Sequence, residues 1–178
     1  MFTTREKVIE LLTELGTRLF DRGIEGELYL VGGGAMLLGY NRNTVTKDRD
    51  AIYTPTEIID QIADQMAEER SDYALMPGWL KSQVLPLLPR MKDSRAWQAL
   101  LVPGLSVQIA SPEHLLAMKA RASRSIRDFD DVGVLADVLK INDIKQVWEI
   151  CENVWGFDVF TEETRELITQ YLVTRGIK

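Results

Sequence analysis

The stretch Leu30-Val31-Gly32-Gly33-Gly34-Ala35, followed by Asp48-Arg49-Asp50, is the most informative sequence in the first half of this chain. The apolar residues before the glycines predict a strand that ends in a glycine turn, and Asp48 begins a second strand. Two carboxylates one residue apart on a strand point to the same side, because strand side chains alternate. Carboxylate oxygens suit Mg²⁺, and glycine lets a phosphate approach the backbone. The pattern therefore predicts a site for a divalent metal and nucleotide phosphates.

Each half of this pattern also has a simpler interpretation. Acidic residues such as Asp48 and Asp50 are common at solvated strand ends. Three glycines in a row can form a tight bend and nothing more. The two halves in this order are more specific than either half alone.

The remaining chain predicts a mixed α/β region over residues 1–110, with an N-terminal helix, and a helical region over 111–178 that packs on it. The expected fold class is a small mixed sheet flanked by helices and followed by a helical bundle. Pro103-Gly104 predicts a hairpin turn, and Ser111 before Pro112 predicts a helix start. Predicted strands cover 27–31, 48–53, 97–102 and 105–110. Predicted helices cover 4–22, 35–39, 57–70, 79–85, 112–122, 126–140, 143–154 and 161–175.

Composition excludes several classes of protein. The formal net charge is −6 over 178 residues, which argues against a surface built for non-specific nucleic-acid binding. No apolar run is long enough for a membrane span, and the N-terminus lacks the layout of a signal peptide, so we expect a cytoplasmic protein without membrane contact. The single cysteine, Cys151, excludes an internal disulfide, and the single histidine, His114, argues against a zinc cluster.

The glycines and aspartates together resemble the motif of the nucleotidyltransferase-fold superfamily, in which two small residues precede Asp-x-Asp on a strand. Within it, the chain is similar to nucleotidyltransferase-like proteins related to the abortive-infection type IV toxin. Their pattern is matched here by Gly33-Gly34-Ala35-Met36-Leu37, then Arg42, then Thr46-Lys47-Asp48-Arg49-Asp50. A second motif of the same relatives is matched by residues 111–119, from Ser111-Pro112-Glu113 to Lys119, and by residues 127–131.

This resemblance implies roles for the residues of the first motif. Asp48 and Asp50 would hold one or two Mg²⁺ or Mn²⁺ ions that bridge the triphosphate of an NTP. Gly33 and Gly34 would face phosphate oxygens. The other nucleotide contacts that it implies are Thr46 and Arg42.

The second motif implies a cation and its acidic partners. Lys119 would contact the phosphates, and Asp128 or Asp131 would position Lys119 or the acceptor; the sequence leaves both aspartates open. A lysine on a helix is ordinarily a solvated residue, and acids at a helix start are favoured by the helix dipole. The neighbouring arginines could contact phosphates or RNA, or pair with these acids: Arg121, Arg124 and Arg127.

Two residues depart from the superfamily pattern. Active members often carry a third carboxylate on a later strand, and the corresponding strand here has Gln108 in its centre. An amide is a weaker metal ligand and cannot act as a base. The residue between the two aspartates is usually apolar, whereas this chain has Arg49.

We therefore expect a nucleotidyltransferase that transfers a nucleotide from a metal-bound NTP to a tRNA or protein acceptor. The resemblance also implies the toxin of a toxin–antitoxin or phage-defence system, with an antitoxin protein as partner. The alternative is a catalytically degenerate member that binds a nucleotide or a protein, which Gln108 and Arg49 favour.

Overall fold

The computed structural model describes residues 4–40, 49–70, 75–82, 88–123 and 126–178, and for Arg49, Lys81 and residues 126–128 it describes the backbone alone. The chain divides into two compact units. The first consists of Met1–Leu87 and Ala96–Ala110, and the second of Leu88–Arg95 and Ser111–Lys178. The predicted division into domains 1–110 and 111–178 stays a prediction.

The first unit begins with an amphipathic helix. Helix α1 (Arg5–Phe20) starts at Thr4, whose hydroxyl accepts a hydrogen bond from the Lys7 amide at 3.3 Å. A side-chain cap of this kind satisfies one of the unpaired amides of the first helical turn. The leucines of α1 recur at three- and four-residue steps and are fully buried: Leu11, Leu12, Leu15 and Leu19. The helix therefore contributes one continuous apolar face to the core of this unit.

A mixed sheet forms the centre of the first unit. Its strands are β1 (Gly26–Leu30), β2 (Arg49–Thr54), β3 (Leu80–Lys81), β4 (Trp97–Val102) and β5 (Leu105–Ile109), in the order β3-β2-β1-β5-β4. Strand β1 is antiparallel to β2 and parallel to β5, while β4 and β5 form an antiparallel hairpin. Helices α2 (Gly32–Gly39) and α3 (Thr56–Glu69) lie between the strands in sequence.

The two faces of this sheet differ in chemistry. One face is apolar and buried, and contains Leu28, Leu30, Ala51, Val107 and Ile109. The opposite face, called the outer face below, carries the alternating side chains of the three central strands. These side chains are exposed or half-buried: Glu27, Tyr29, Asp50, Ile52, Thr54, Ser106 and Gln108. Among the described side chains of β1, β2 and β5, the carboxylates and the carboxamide therefore lie on the outer face.

The hairpin between β4 and β5 explains the glycine at position 104. Gly104 has φ +76°, and a Cβ there would lie 2.3 Å from the Gly16 carbonyl oxygen of α1. No other residue fits this turn without moving the helix. The Pro103-Gly104 turn thus closes the hairpin and brings it against α1.

The second unit contains four helices, α4 (Pro112–Ala122), α5 (Ile126–Val138), α6 (Ile144–Trp155) and α7 (Glu162–Thr174). Ser111 caps α4, as the sequence predicts, by accepting a hydrogen bond from the His114 amide. Asp143 caps α6 in a reciprocal box with Gln146, and α6 ends at Gly156 in the left-handed conformation. The indole of Trp155 donates a hydrogen bond to the Ala117 carbonyl at 3.2 Å and connects α6 to α4.

The mixed α/β fold that the sequence predicts is confirmed, and three local predictions are wrong. Helix α2 begins at Gly32 rather than at Ala35. Burial of the residues that follow the glycines stabilises the helix, and the glycines form its first turn. Residues 80–81 form strand β3 beside β2, not the predicted helix. Thr56 is the first residue of α3 rather than its cap, and its hydroxyl donates to the Tyr53 carbonyl at 2.9 Å. In the described ranges, no helix has both the length and the apolar character that crossing a membrane requires.

Candidate nucleotide-binding site

The glycine turn and Asp50 meet at the end of the central strand. The Val31 amide donates to the Asp50 carbonyl at 2.9 Å, which holds β1 and β2 together where the turn begins. Gly32 has φ +57°, and a Cβ on this residue would lie 3.0 Å from Asp50 Oδ2. The carboxylate of Asp50 therefore lies directly against the backbone of Gly32. Both the backbone conformation and this close approach require glycine at position 32.

The three glycines form the first turn of α2. Gly32 and Gly33 are half-buried, and Gly34 is buried. The first amides of a helix have no acceptor within the helix, and they carry the positive end of its dipole. Because α2 starts at Gly32, the amides that the sequence assigns to phosphate binding, at Gly33 and Gly34, belong to a helix N-terminus rather than to a loop. Such an N-terminus favours an anion such as phosphate.

Asp50 shares the outer face of the sheet with Gln108. On β2 the buried residues are Ala51 and Tyr53, so Asp50 points to the opposite, outer side. On β5 the buried residues are Val107 and Ile109, so Gln108 points outward too, and it is exposed. Gln108 therefore lies on the same face as Asp50, two strands away.

Several predicted site residues fall where the structure gives less information. Arg42, Thr46 and Asp48 lie outside the described residues. Asp128 lies within α5, where the backbone alone is described. Their roles stay predictions.

The second motif forms an ion pair inside the second unit. Lys119 Nζ, near the end of α4, lies 2.7 Å from Asp131 Oδ2 on α5. The two side chains are 16% and 3% exposed, so water reaches this pair poorly. The Ser123 hydroxyl donates to the Lys119 carbonyl at 2.7 Å and closes the last turn of α4. Of the two aspartates that the sequence left open as partners of Lys119, the structure brings Asp131 into contact with it.

The nearby arginine Arg121 has a different environment. Its guanidinium lies 4.3 Å from the ring centre of Trp155 and packs over that ring. A guanidinium over an indole gains a cation–π interaction and can still present its edge to solvent. Arg124 lies outside the described residues, and the side chain of Arg127 is not described.

A second polar grouping, which the sequence does not single out, surrounds His114. Its Nδ1 lies 3.3 Å from Ser111 Oγ and 3.4 Å from Asp93 Oδ1, and its Nε2 lies 3.2 Å from the Met91 carbonyl oxygen. A hydrolytic relay needs serine and carboxylate on opposite ring nitrogens, whereas both face Nδ1 here. Asp93 also accepts from the Ser111 amide at 2.8 Å. This grouping fastens the segment around Asp93 to the start of α4.

The donor set at the turn suits a hard divalent cation. Asp50 supplies carboxylate oxygens on the outer face, and oxygen ligands are what Mg²⁺ and Mn²⁺ prefer. Among the described residues, no three histidine, cysteine or acidic side chains cluster as a complete metal site. A phosphate at the start of α2 would lie near the Asp50 carboxylate, and two anions so close need a cation between them. The residues present therefore fit a metal shared between the protein and phosphate oxygens.

Comparisons with known proteins give one distant similarity. No protein-family model matches the chain, and no curated protein matches it. A solved structure described as an antigenic nucleotidyltransferase-like protein from Paracoccidioides brasiliensis is similar to it, with 16% sequence identity and a TM-score of 0.47. The similarity covers 96% of this chain and 88% of that chain. At this distance it does not establish the family, so the function has to be inferred from the residues of the site.

Proposed function

We propose that this protein is a metal-dependent nucleotidyltransferase, which transfers a nucleotide from an NTP to a macromolecular acceptor. The observation that carries this function is the Asp50 carboxylate against Gly32, at the start of α2 and on the outer face of the sheet. This arrangement puts a metal-ligating oxygen next to amides that suit a phosphate.

Asp50 and Asp48 would hold the Mg²⁺ or Mn²⁺, which supplies positive charge at the phosphates when it is bound. The protein's own contribution is to fix the phosphates. Amides of the first turn of α2 donate to phosphate oxygens, and the glycines let the phosphates come close. Positioning and charge stabilisation are the main needs of phosphoryl transfer, so little further chemistry is required of the side chains.

Lys119 is kept as a candidate phosphate contact, with Asp131 as its positioning residue, because the resemblance implies these roles. An ion pair at 2.7 Å holds the ammonium in one place and limits its freedom. A positioned cation loses less entropy when a phosphate binds than a mobile surface lysine would. Asp128 is kept as a candidate for orienting the acceptor, and Thr46 and Arg42 as candidates for contacting the nucleotide.

The acceptor and the biological role are the finer parts of this proposal. The resemblance of the motifs points to the 3′ end of a tRNA or to a protein hydroxyl as acceptor. It also points to a toxin whose activity is controlled by an antitoxin protein. Co-purification of the protein with the product of the adjacent gene tests that partner, and separate elution in size-exclusion chromatography would contradict it.

The decisive experiment is transfer of α-labelled nucleotide to total cellular RNA and protein, with each of the four NTPs and Mg²⁺ or Mn²⁺. We expect label in one macromolecular fraction, and Asp50→Asn should reduce it on the order of 10²-fold or more, as removal of one preorganised charge does. Glu57→Gln is the matched control, because it removes an exposed carboxylate from α3. Equal transfer by the wild type and Asp50→Asn would contradict the function.

Gln108 favours a second candidate function. An amide replaces the third carboxylate on the outer face, and a site with fewer acids binds metal more weakly. The protein would then be a degenerate member that binds a nucleotide without transferring it. Calorimetry with Mg²⁺ and NTPs distinguishes the two: metal-dependent NTP binding without any transfer would favour the degenerate member.

A further inference from the structure

A pocket of about 200 Å³ lies on the outer face, and Gln108 is part of its lining. It is formed by three strands that pair in register. Tyr29 on β1 lies opposite Ile52 on β2 and Gln108 on β5. One step further along, Glu27 lies opposite Thr54 and Ser106. The pocket therefore has two rows of side chains, and Asp50 precedes the first row on β2.

The first row combines a ring with a carboxamide. Tyr29 is half-buried and lines the pocket, and Ile52 gives an apolar contact beside it. Gln108 offers both a donor and an acceptor, and it is exposed. A flat heteroaromatic ring with both donors and acceptors at its edge matches this row, because it can stack on an aromatic side chain and bond to an amide.

The second row adds a carboxylate, an acceptor only when it is ionised. Glu27 is exposed and has the hydroxyl-bearing residues Thr54 and Ser106 on either side. A carboxylate repels a phosphate and attracts an N–H edge. The phosphate end of a ligand is therefore directed away from Glu27, toward Asp50 and the first turn of α2. Two residues along a strand span roughly 7 Å, so the second row is about that far from the first.

The size of the pocket limits what it accepts. Pockets for drug-sized ligands run from about 300 to 1,000 Å³. At about 200 Å³ this pocket takes a single ring system rather than a whole nucleoside triphosphate. The phosphates of a nucleotide would then lie outside it.

We infer that this pocket binds a nucleobase with an exocyclic amino group, stacked on Tyr29, bonded to Gln108 and read by Glu27. This assignment rests on the proposed function and names its base-recognition site. Tyr29 then determines mainly how tightly the base binds, and Glu27 determines which base is preferred. Adenine, guanine and cytosine carry an amino group for Glu27, whereas uracil offers one imide N–H between two carbonyl oxygens, which the carboxylate repels.

The test uses free nucleosides without phosphate and without metal, so that it does not depend on the Asp50 site. Binding of adenosine, guanosine, cytidine and uridine to the whole chain is measured by calorimetry or by NMR titration. We expect the amino-bearing nucleosides to bind more tightly than uridine. Tyr29→Leu should weaken their binding roughly fivefold or more, as loss of a stacking ring does, and Tyr29→Phe should preserve it.

Glu27→Gln provides the second readout, since it keeps the shape and adds a donor. We expect this variant to lose the preference for amino-bearing nucleosides over uridine. No nucleoside binding by the wild type, or equal binding by wild type and Tyr29→Leu, would overturn the assignment. So would an unchanged preference in Glu27→Gln. None of these results bears on Asp50, whose transfer assay decides the proposed function by itself, and circular dichroism of each variant confirms that it is folded.

Discussion

Asp50 in the first unit and Asp131 in the second both belong to predicted site motifs, yet their surroundings differ. Asp50 is half-buried on the outer face, with its carboxylate against the backbone of Gly32. Asp131 is 2% exposed and forms an ion pair with Lys119 at 2.7 Å. The Asp50 carboxylate therefore adjoins a helix start that suits an added anion, and the Asp131 carboxylate contacts a lysine of the neighbouring helix.

The two aspartates represent two roles of an acidic side chain, one in an ion pair and one in ligand binding. A paired acid in a dry interior depends on its partner, because a lone charge there is costly. A half-buried acid on the outer face of a sheet keeps access to a metal and to water. We therefore expect changes at Asp131 to act mainly on stability and changes at Asp50 mainly on ligand binding.

The largest expected effect comes from breaking the Lys119–Asp131 pair on one side. Asp131→Ala leaves the half-buried Lys119 ammonium without this partner, and because breaking a fully buried pair costs about 3–5 kcal/mol, we expect a loss of unfolding free energy near the lower end of that range. Asp50→Asn keeps the size and a polar group at this half-buried position, so we expect it to change the unfolding free energy by only about 1 kcal/mol. Urea unfolding monitored by circular dichroism measures both variants under the same conditions.

The double variant Lys119→Met/Asp131→Leu separates the effect of the ion pair on stability from its effect on nucleotide transfer. Replacing both partners of a buried pair by apolar residues is often neutral, so we expect most of the lost stability to return. If the double variant is stable and still transfers nucleotides, Lys119 has a structural role only. If it is stable and inactive, Lys119 contacts the phosphates as proposed.

Part of this comparison could be predicted from the sequence. Strand alternation places Asp50 on one side of β2, and the hydrophobic spacing of α1 and the cap at Ser111 follow from local rules. These features depend on residues close in sequence, which is why the mixed α/β fold was predictable.

The rest depends on contacts between distant residues. The need for glycine at position 32 arises from the register that pairs Leu30 with Ala51 and so brings Asp50 beside the turn. The early start of α2 comes from burial of the residues after the glycines, which overrides the poor helix propensity of glycine. Strand β3 has two residues, and its partner strand β2 lies about 30 positions earlier in the chain, so no local sequence pattern predicts it.

A smaller effect is expected at the glycine turn. Gly32→Ala places a Cβ 3.0 Å from Asp50 Oδ2 in a left-handed conformation, so we expect a loss of about 1–3 kcal/mol together with weaker metal and NTP binding. Gly23→Ala is the matched control, because Gly23 also has positive φ, +68°, but nothing lies within 4 Å of its Cβ position. Both should lose stability in thermal unfolding, and Gly32→Ala alone should lose ligand binding in calorimetry. Equal ligand binding by the two variants would contradict the placement of the site.

The smallest effect tests whether the interior of the second unit is dry, as the environment of Asp131 indicates. Burial of Cys151 on α6 raises the pKa of its thiol from the ordinary value of 9.0 to about 12. Between these values the unfolded chain has released the proton and the folded chain has kept it, so this thiol lowers stability as the pH rises above 9. Near pH 9.5 we expect a loss below about 1 kcal/mol, which is absent in Cys151→Ala when each protein is compared with itself at pH 8.

A thiol reagent should label the native protein slowly and the unfolded protein fast, because a buried neutral thiol is a poor nucleophile. Fast labelling of the folded chain at pH 8 would mean that water enters this interior, and Asp131 would then resemble Asp50 more than its ion pair suggests.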